Sequence, residues 1–283
     1  DAGEAKLYIS LPVFNELNDF ISNKYQDNQK IIFTKSIAES DYVFNGRWKN
    51  NRIEYGFISP ILQENDTIND LIYPFSTDYY PFSKEENENT ANYKNLDEII
   101  TKLSRIKKWL TLEPPTDDGA FPFYLTLRNR IDSTIVTDHT LLGQKYELLL
   151  KIDENNMDNY DGVARYVHIF VIDANGQMQP IYPLSNVENK YPRYDELGNL
   201  VKEYRIISNI VIGEPLGYDT FFMLVSDEPI PNFKMSVTQT GVQTRGANGG
   251  LSDLFNEQGN TRGVSYSNSS WYLRKFTVKS QKN

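Results

Sequence analysis

The sequence contains no cysteine and only two histidines, His139 and His168. The missing thiols exclude disulfides, thiolate metal sites and a cysteine nucleophile within this chain. His168 lies inside an apolar run and His139 lies in a polar turn, so we interpret both as structural. The sequence signatures of serine hydrolases, zinc peptidases, P-loop enzymes and dinucleotide-binding enzymes are absent as well. The sequence therefore predicts a chain that has no catalytic residues, no metal site and no cofactor.

Basic residues are fewer than acidic residues. The chain has 29 Lys and Arg against 38 Asp and Glu, which gives a formal net charge of -9 and a pI near 4.9. A surface of this charge repels the phosphates of nucleic acids and of anionic membranes. No apolar run reaches the roughly 18 residues that a membrane-spanning helix needs. We therefore expect no nucleic-acid partner and no membrane span.

Apolar and aromatic residues are plentiful enough to form a packed core. The 283 residues are 39% hydrophobic and 13% aromatic, with 19 tyrosines among them. A chain of this length can hold one large domain or two ordinary ones. Residues 112–119 contain two consecutive prolines, which cannot continue a helix, so we place a boundary there. The sequence predicts an α+β fold, with a small α/β unit over residues 1–113 and a β-rich, sandwich-like domain over residues 114–283.

Hydrophobic periodicity predicts two helices in the first unit, over residues 12–25 and 93–110. Ser10 is the expected N-cap of the first helix. A turn at residues 49–51 is expected to join two strands into a hairpin. Residues 60–93 show neither the helical nor the strand period, so we expect a long irregular loop there. Strands are expected at residues 6–9, 31–34, 41–48 and 52–57.

Two nearly continuous apolar runs, at residues 166–172 and 219–225, are typical of buried central strands in an antiparallel core. A turn at residues 173–176 is expected to join the first run to a partner strand at 177–182. A short helix is expected at residues 251–256. Further strands are expected at residues 123–127, 133–137, 145–152, 205–212, 234–238 and 271–278.

Several features could bind a ligand, and each also has a structural interpretation. The acidic segment 153–162 offers oxygen ligands for calcium but lacks the spacing of an EF-hand, so a solvated loop is favoured. Arg245 and Arg262 each lie in a Thr-Arg-Gly tripeptide and could bind a carboxylate or phosphate, or pair with acidic side chains nearby. Trp271 could stack on a sugar ring or be buried in the core. A carboxylate pair for glycoside hydrolysis would have to be brought together by the fold.

A set of motifs is spread over nearly the whole chain, at residues 41–46, 104–110, 112–115, 165–173 and 217–220, together with the Thr-Arg-Gly segments and Trp271. Together they resemble the region C-terminal to the peptidase domain in bacterial caspase-like (metacaspase-type) cysteine peptidases. In that family the region includes a β-rich domain of unknown function. The catalytic His and Cys of the family lie in the caspase-like domain and have no counterpart in this sequence.

The resemblance implies a non-catalytic accessory region that is regulatory or binds protein. Its partner would be the caspase-like catalytic domain or another protein, in a bacterial and extracytoplasmic setting. Asp219 lies in one of the motifs and joins Arg245, Arg262 and Trp271 as a candidate binding residue. A secreted carbohydrate-binding β-sandwich module, with a glycan as the partner, is the alternative hypothesis.

Overall fold

The computed structural model describes residues 4–10, 13–25, 31–60, 74, 76–83, 88–113, 121–183, 188–243 and 271–282. The chain divides into two compact units. The first contains residues 1–112, 174–176 and 241–245, and the second contains residues 113–173, 177–240 and 246–283. The fold is α+β, with mostly antiparallel sheets and a few helices. The boundary expected at residue 113 did not foresee that residues 174–176 and 241–245 belong to the first unit.

The first unit is built on a mixed five-stranded sheet with the order β2-β1-β3-β4-β5. Strand β1 runs parallel to β2 and to β3, whereas β3, β4 and β5 pair antiparallel. Helix α1 connects the parallel strands β1 and β2. The elements are β1 (Ala5–Ile9), α1 (Asn15–Tyr25), β2 (Ile31–Phe33), β3 (Tyr42–Lys49), β4 (Arg52–Ile58), β5 (Tyr80–Phe82) and α2 (Thr90–Thr111).

The two helices of the first unit bury one face each and contact one another. Helix α1 buries Leu17 and Ile21, which lie one turn apart on the same face. At its end, the Tyr25 hydroxyl donates a hydrogen bond to Asp97 of α2, and Lys24 Nζ lies 2.9 Å from the same carboxylate. These contacts hold α1 alongside α2, because the carboxylate accepts from two consecutive residues of α1.

Both predicted helices exist, with different starting points. Helix α1 begins at Asn15 rather than near residue 12, so Ser10 is not its N-cap. The Ser10 N–H instead donates to Phe44 O at 2.9 Å and so prolongs the pairing of β1 with β3. Helix α2 begins at Thr90, which is three residues before the expected start.

The prediction of an irregular loop over residues 60–93 is wrong for the second half of that range. Residues 80–82 form β5, which pairs antiparallel with β4, and residues 90–93 already belong to α2. The sequence of β5, Tyr-Pro-Phe, contains a proline, which is tolerated because β5 is an edge strand. Residues 61–73, 75 and 84–87 lie outside the described residues.

The second unit contains two sheets. A six-stranded sheet has the order β10-β9-β13-β14-β7, with β11 paired to β9, and a three-stranded sheet has the order β12-β8-β6. Residues 154–159 form a 3₁₀ helix. The elements are β6 (Phe123–Asn129), β7 (His139–Leu141), β8 (Lys145–Ile152), β9 (Arg165–Ile172), β10 (Met178–Tyr182), β11 (Lys190–Tyr191), β12 (Glu203–Val211), β13 (Tyr218–Ser226), α3 (Phe233–Val237) and β14 (Trp271–Gln281).

Alternate side chains of both sheets meet in one hydrophobic core. Leu148 and Leu150 of β8 face Val167 and Ile169 of β9 and Met223 of β13 in the same cluster of buried residues. Each fully buried side chain of this kind contributes about 2 kcal/mol through removal of apolar surface from water. The expectation of two central strands is confirmed, because β9 and β13 are adjacent, antiparallel and buried along nearly their whole length.

Two of the predicted strands are wrong. Residues 234–237 belong to α3 and Thr238 directly follows it, because Phe233 and Val237 are four residues apart and lie on one buried helical face. Residues 133–137 follow a turn at residues 130–132 and pair with β6 only through the isolated bridge of Ile135 to Arg128, with backbone hydrogen bonds from Asn129 N to Thr134 O and from Val136 N to Leu127 O, both at 2.8 Å. This pairing is too short to form a strand, and Asp132 accepts two local hydrogen bonds from Thr134 beside it.

Two further differences concern the position of strands. The predicted strand at residues 205–212 exists as β12, which begins two residues earlier at Glu203, ends at Val211 and pairs with β8 in the three-stranded sheet. Strand β7 was not predicted, since only three residues pair with the end of β14. The helix expected at residues 251–256 lies outside the described residues.

Candidate binding surface

The β3–β4 hairpin of the first unit ends in a tight turn. The two strands pair without interruption from Val43 and Ile58 to Lys49 and Arg52. Asn50 and Asn51 form the turn with φ values of 50° and 59°. Two consecutive residues with positive φ are characteristic of the type I′ turn, whose twist matches that of the strands, and asparagine tolerates this backbone better than most residues. The hairpin tip is therefore well defined.

Trp48 is the most exposed aromatic side chain among the described residues, with 69% of its surface accessible. It lies opposite Ile53 near the hairpin tip, on the same face as Gly46 and Tyr55. Tyr55 is fully buried, and a Cβ atom at Gly46 would lie 2.9 Å from its Cε1 atom. Along this face, Gly46 packs against the buried Tyr55, whereas Trp48, two residues further along β3, is exposed to solvent.

The other face of the hairpin carries a fixed arginine. Arg47 donates from Nε and Nη2 to Glu54 Oε2 at 3.0 and 2.8 Å, and its guanidinium carbon lies 4.0 Å from the ring centroid of Tyr79. The Tyr79 hydroxyl in turn donates to Asn45 Oδ1 at 3.1 Å. Burial raises the pKa of Tyr79, with the Arg47 charge acting in the opposite direction. We call Trp48 on one face and Arg47, Glu54 and Tyr79 on the opposite face, taken together, the hairpin surface.

The composition of the hairpin surface is that of a protein contact site. Trp, Tyr and Arg are the residue types that contribute most binding energy in protein interfaces. Arg47 is already held by Glu54 and Tyr79, and Trp48 is carried by an ordered hairpin. Because these side chains are already held in place, binding a partner there costs less side-chain entropy than binding to a surface whose side chains must first become ordered. The surface can bind, but its ionisable groups are engaged with each other.

The residues predicted from the sequence to bind are not brought together. Asp219 lies opposite Val278 near one end of the β13–β14 pair, and Trp271 lies opposite Ser226 at the other end. Seven residues separate the two positions along β13, which corresponds to about 24 Å of extended strand. Arg245 and Arg262 lie outside the described residues. Asp219 and Trp271 therefore do not form a joint site.

The two histidines have no partner suited to catalysis in the described part of the chain. His168 is buried in β9, where its ring packs 4.9 Å from that of Phe233 and its Nε2 atom lies 3.3 Å from Asn189 Nδ2. Burial lowers the pKa of His168 to about 4. His139 is exposed, and its Nδ1 atom lies 2.7 Å from the neighbouring Asp138. The structural interpretation of both histidines agrees with these contacts.

Two carboxylates of the second unit, Glu147 and Glu203, belong to one ion-pair network. Arg128 bridges Glu147 at 2.7 Å and Glu203 at 2.8 Å on the three-stranded sheet. The hydrogen bond from Arg128 lowers the pKa of Glu147. A glycosidase acid needs a raised pKa, so this pair is not suited to that chemistry. Within the described ranges, no three His, Asp or Glu side chains are placed to hold a metal ion.

The acidic segment at residues 153–162 makes local and ionic contacts. Asp153 accepts hydrogen bonds from Asn155 N and Asn156 Nδ2, which caps the 3₁₀ helix. Asp161 accepts from both terminal nitrogens of Arg165. These carboxylates thus serve the structure of the segment and of β9.

A cavity of about 400 Å³ lies beside α1 and β2. Ser22, Tyr25 and the three residues of β2 line it. The Tyr25 hydroxyl donates its hydrogen bond to Asp97. Of the side chains that line the cavity, Ser22 is the other one that carries a hydroxyl. The cavity walls therefore supply little polar chemistry.

The hairpin surface was not identified from the sequence. The signal that could have indicated it was the Arg-Trp pair at residues 47–48, directly before an Asn-Asn turn in an alternating strand pattern. The strands bury the residues far from the turn, Tyr42–Phe44 and Tyr55–Phe57, and leave the residues next to the turn more exposed.

No family model matches the chain, and comparisons with curated proteins and with solved structures find no match either. In the part of the chain that the structure describes, no helix is both long and apolar enough to cross a membrane. The resemblance to the accessory region of caspase-like peptidases therefore rests on the sequence motifs and stays a prediction.

Proposed function

We propose that the chain is a non-catalytic accessory module that binds another protein through the hairpin surface. The observation that carries this proposal is Trp48, which is 69% exposed on an ordered hairpin whose opposite face carries the fixed pair of Arg47 and Glu54. Exposure of a large apolar side chain has no benefit for folding, whereas a rigid tryptophan is an effective anchor in a partner's pocket.

The proposed partner is the catalytic domain of a bacterial caspase-like peptidase. The motifs at residues 41–46 and 104–110 support this choice, and both lie in the same unit as the hairpin surface. The chain has no cysteine of its own, so the nucleophile of a cysteine peptidase would have to come from the partner. Binding at the hairpin surface would then change the rate at which that partner cleaves peptides.

The test is a calorimetric titration of the full chain into a purified caspase-like catalytic domain from the same organism, with peptide cleavage measured in parallel. We expect saturable binding and a changed cleavage rate. Trp48→Ala should weaken binding at least tenfold, which corresponds to about 1.4 kcal/mol.

The matched control is Leu197→Ala. Leu197 is 87% exposed on a turn of the second unit, so the substitution also removes an exposed apolar side chain. It should leave binding and cleavage unchanged. Absence of binding by the wild-type chain, or equal weakening by both substitutions, would contradict the proposal.

A further inference from the structure

The outer face of the three-stranded sheet carries more cations than carboxylates. Leu148 and Leu150 of β8 point into the core, so the residues that alternate with them point to the opposite face. The pairing of β6 and β12 with β8 places five cations on that face: Arg128, Arg130, Lys145, Lys151 and Arg205. It also places two carboxylates there, those of Glu147 and Glu203. This face, which we call the basic face, therefore has a net charge of +3 in a chain whose net charge is -9.

Both glutamates of the basic face are shared between cations. Glu147 lies 2.7 Å from Arg128 and 3.5 Å from Arg205. Glu203 lies 2.8 Å from the same Arg128 and 3.6 Å from Lys151. Three cations thus surround two carboxylates, so the positive charge in this part of the face exceeds what the glutamates neutralise.

The end of the basic face next to the turn at residues 130–132 holds the other two cations. Arg130 N donates to Lys145 O at 3.0 Å, which places the two residues side by side, and both are exposed. Arg130 Nη1 reaches across β8 and donates to the amide oxygen of Asn209 at 3.1 Å. None of these contacts involves a carboxylate, so an acidic ligand could pair with both cations without displacing a side chain of the protein.

Exposed side chains lie along the whole length of the basic face. At one end, Val211 of β12 lies opposite Lys145 and is 42% exposed. In the middle, the side chain of Arg205 is 59% exposed. At the other end, Tyr124 of β6 lies opposite Lys151 and is 38% exposed. A ligand on this face would therefore contact charged side chains in the middle and an apolar side chain at each end.

The distance between the two ends indicates the size of the ligand. Lys145 and Lys151 are six residues apart along β8, which corresponds to about 20 Å of extended strand. An extended peptide of about seven residues covers the same distance. The cations are spread over this length rather than gathered at one point, which suits several carboxylates along a chain better than a single small anion.

We propose that the basic face binds an extended acidic segment of a partner protein, with an apolar side chain at each end of the segment. Carboxylates of the segment would pair with Arg130, Lys145 and Arg205, and its apolar side chains would contact Val211 and Tyr124. A nucleic acid fits less well, because it repeats its charge along its whole length and the net negative charge of the chain repels it. The basic face lies in the second unit and shares no residue with the hairpin surface.

The test is a calorimetric titration of the full chain with a synthetic peptide in which glutamates alternate with serines between two terminal leucines. The matched ligand control has glutamine in place of every glutamate. We expect the acidic peptide to bind at least tenfold more tightly than the control at low salt, and the ratio to fall as salt is added, because salt screens exposed charges. Serine in place of both leucines should weaken binding severalfold. A single-stranded oligonucleotide of similar length is titrated in parallel.

Substitutions of exposed lysines show whether charge on the basic face is responsible. Lys145→Gln should weaken binding of the acidic peptide about threefold and Lys145→Glu about tenfold, because the effect follows the charge. The control Lys279→Gln removes the same charge from an exposed residue of β14 in the other sheet, and it should leave binding unchanged. Urea unfolding checks that all three variants remain folded.

Four results would overturn the proposal. They are equal binding of the acidic and the glutamine peptide, equal weakening by Lys145→Gln and Lys279→Gln, no loss of affinity without the terminal leucines, and tighter binding of the oligonucleotide than of the acidic peptide.

Discussion

Lys107 of α2 and Asp41, which directly precedes β3, form a buried ion pair with 2.5 Å between Nζ and Oδ2. Their side chains are 9% and 14% exposed. The same carboxylate oxygen accepts a hydrogen bond from Lys6 N at 2.7 Å. Asp41 therefore links the helix to two adjacent strands, β1 and β3, in the first unit. A single carboxylate holds three elements because it has enough lone pairs for several donors.

Removal of the Lys107 charge should destabilise the first unit, because Asp41 would then be left buried without its counter-charge. We expect Lys107→Met to lower the free energy of unfolding by about 3 kcal/mol. Replacement of both residues, as Lys107→Met with Asp41→Asn, should recover at least half of that loss. Lys108→Met changes the neighbouring exposed lysine and should alter stability by less than about 0.5 kcal/mol. Urea unfolding curves would measure all three, and a double variant no more stable than the single one would contradict this account.

His168 is buried in the neutral form beneath Phe233 of α3. Burial lowers its folded-state pKa to about 4, below the ordinary histidine value of 6.5, so the unfolded chain binds a proton more readily than the folded chain. The contribution of His168 to stability is fully present above pH 6.5 and is lost as the pH falls towards 4. At pH 5 the loss should reach about 2 kcal/mol, since each pKa unit is worth about 1.36 kcal/mol.

The variant His168→Phe tests this dependence, because phenylalanine fills a similar volume and does not titrate. The free energy of unfolding of the wild type should fall by about 2 kcal/mol more than that of the variant between pH 7 and pH 5. His139→Phe is the control, since His139 is exposed and paired only with an exposed aspartate. Identical pH dependence of the wild type and His168→Phe would show that His168 titrates normally in the folded chain.

In the second unit, the sequence predicted those strands best that are buried on both faces, because such strands consist of a continuous apolar run. The runs in β9 and β13 have no polar face, and both strands are covered on each side. The segment of α3 was misread because Phe233, Met235 and Val237 alternate with polar residues as in a strand, while positions 233 and 237 also share a helical face. Five residues are too few for periodicity to distinguish the two.

The binding residues were harder to predict than the fold. Asp219 and Trp271 belong to strands that are neighbours in the sheet, but the antiparallel register places them at opposite ends. That register depends on the pairing partner of each residue, which sequence periodicity does not contain.

The turn at Asn50 and Asn51 determines how Trp48 is presented at the end of the hairpin. Asn51 has a φ of 59°, which costs a β-branched residue about 1–2 kcal/mol but costs glycine nothing. We expect Asn51→Val to lower the free energy of unfolding by that amount, and Asn51→Gly to stay within about 0.5 kcal/mol of the wild type.

The same pair of variants separates the hairpin's shape from the chemistry of its side chains. If the ordered turn positions Trp48, Asn51→Val should also weaken binding of the caspase-like catalytic domain, although the variant retains every residue of the hairpin surface. Asn51→Gly should bind as the wild type does. Thermal unfolding and calorimetry on the same samples would measure both effects. If Asn51→Val were as stable as Asn51→Gly, the left-handed backbone at this turn would not be required.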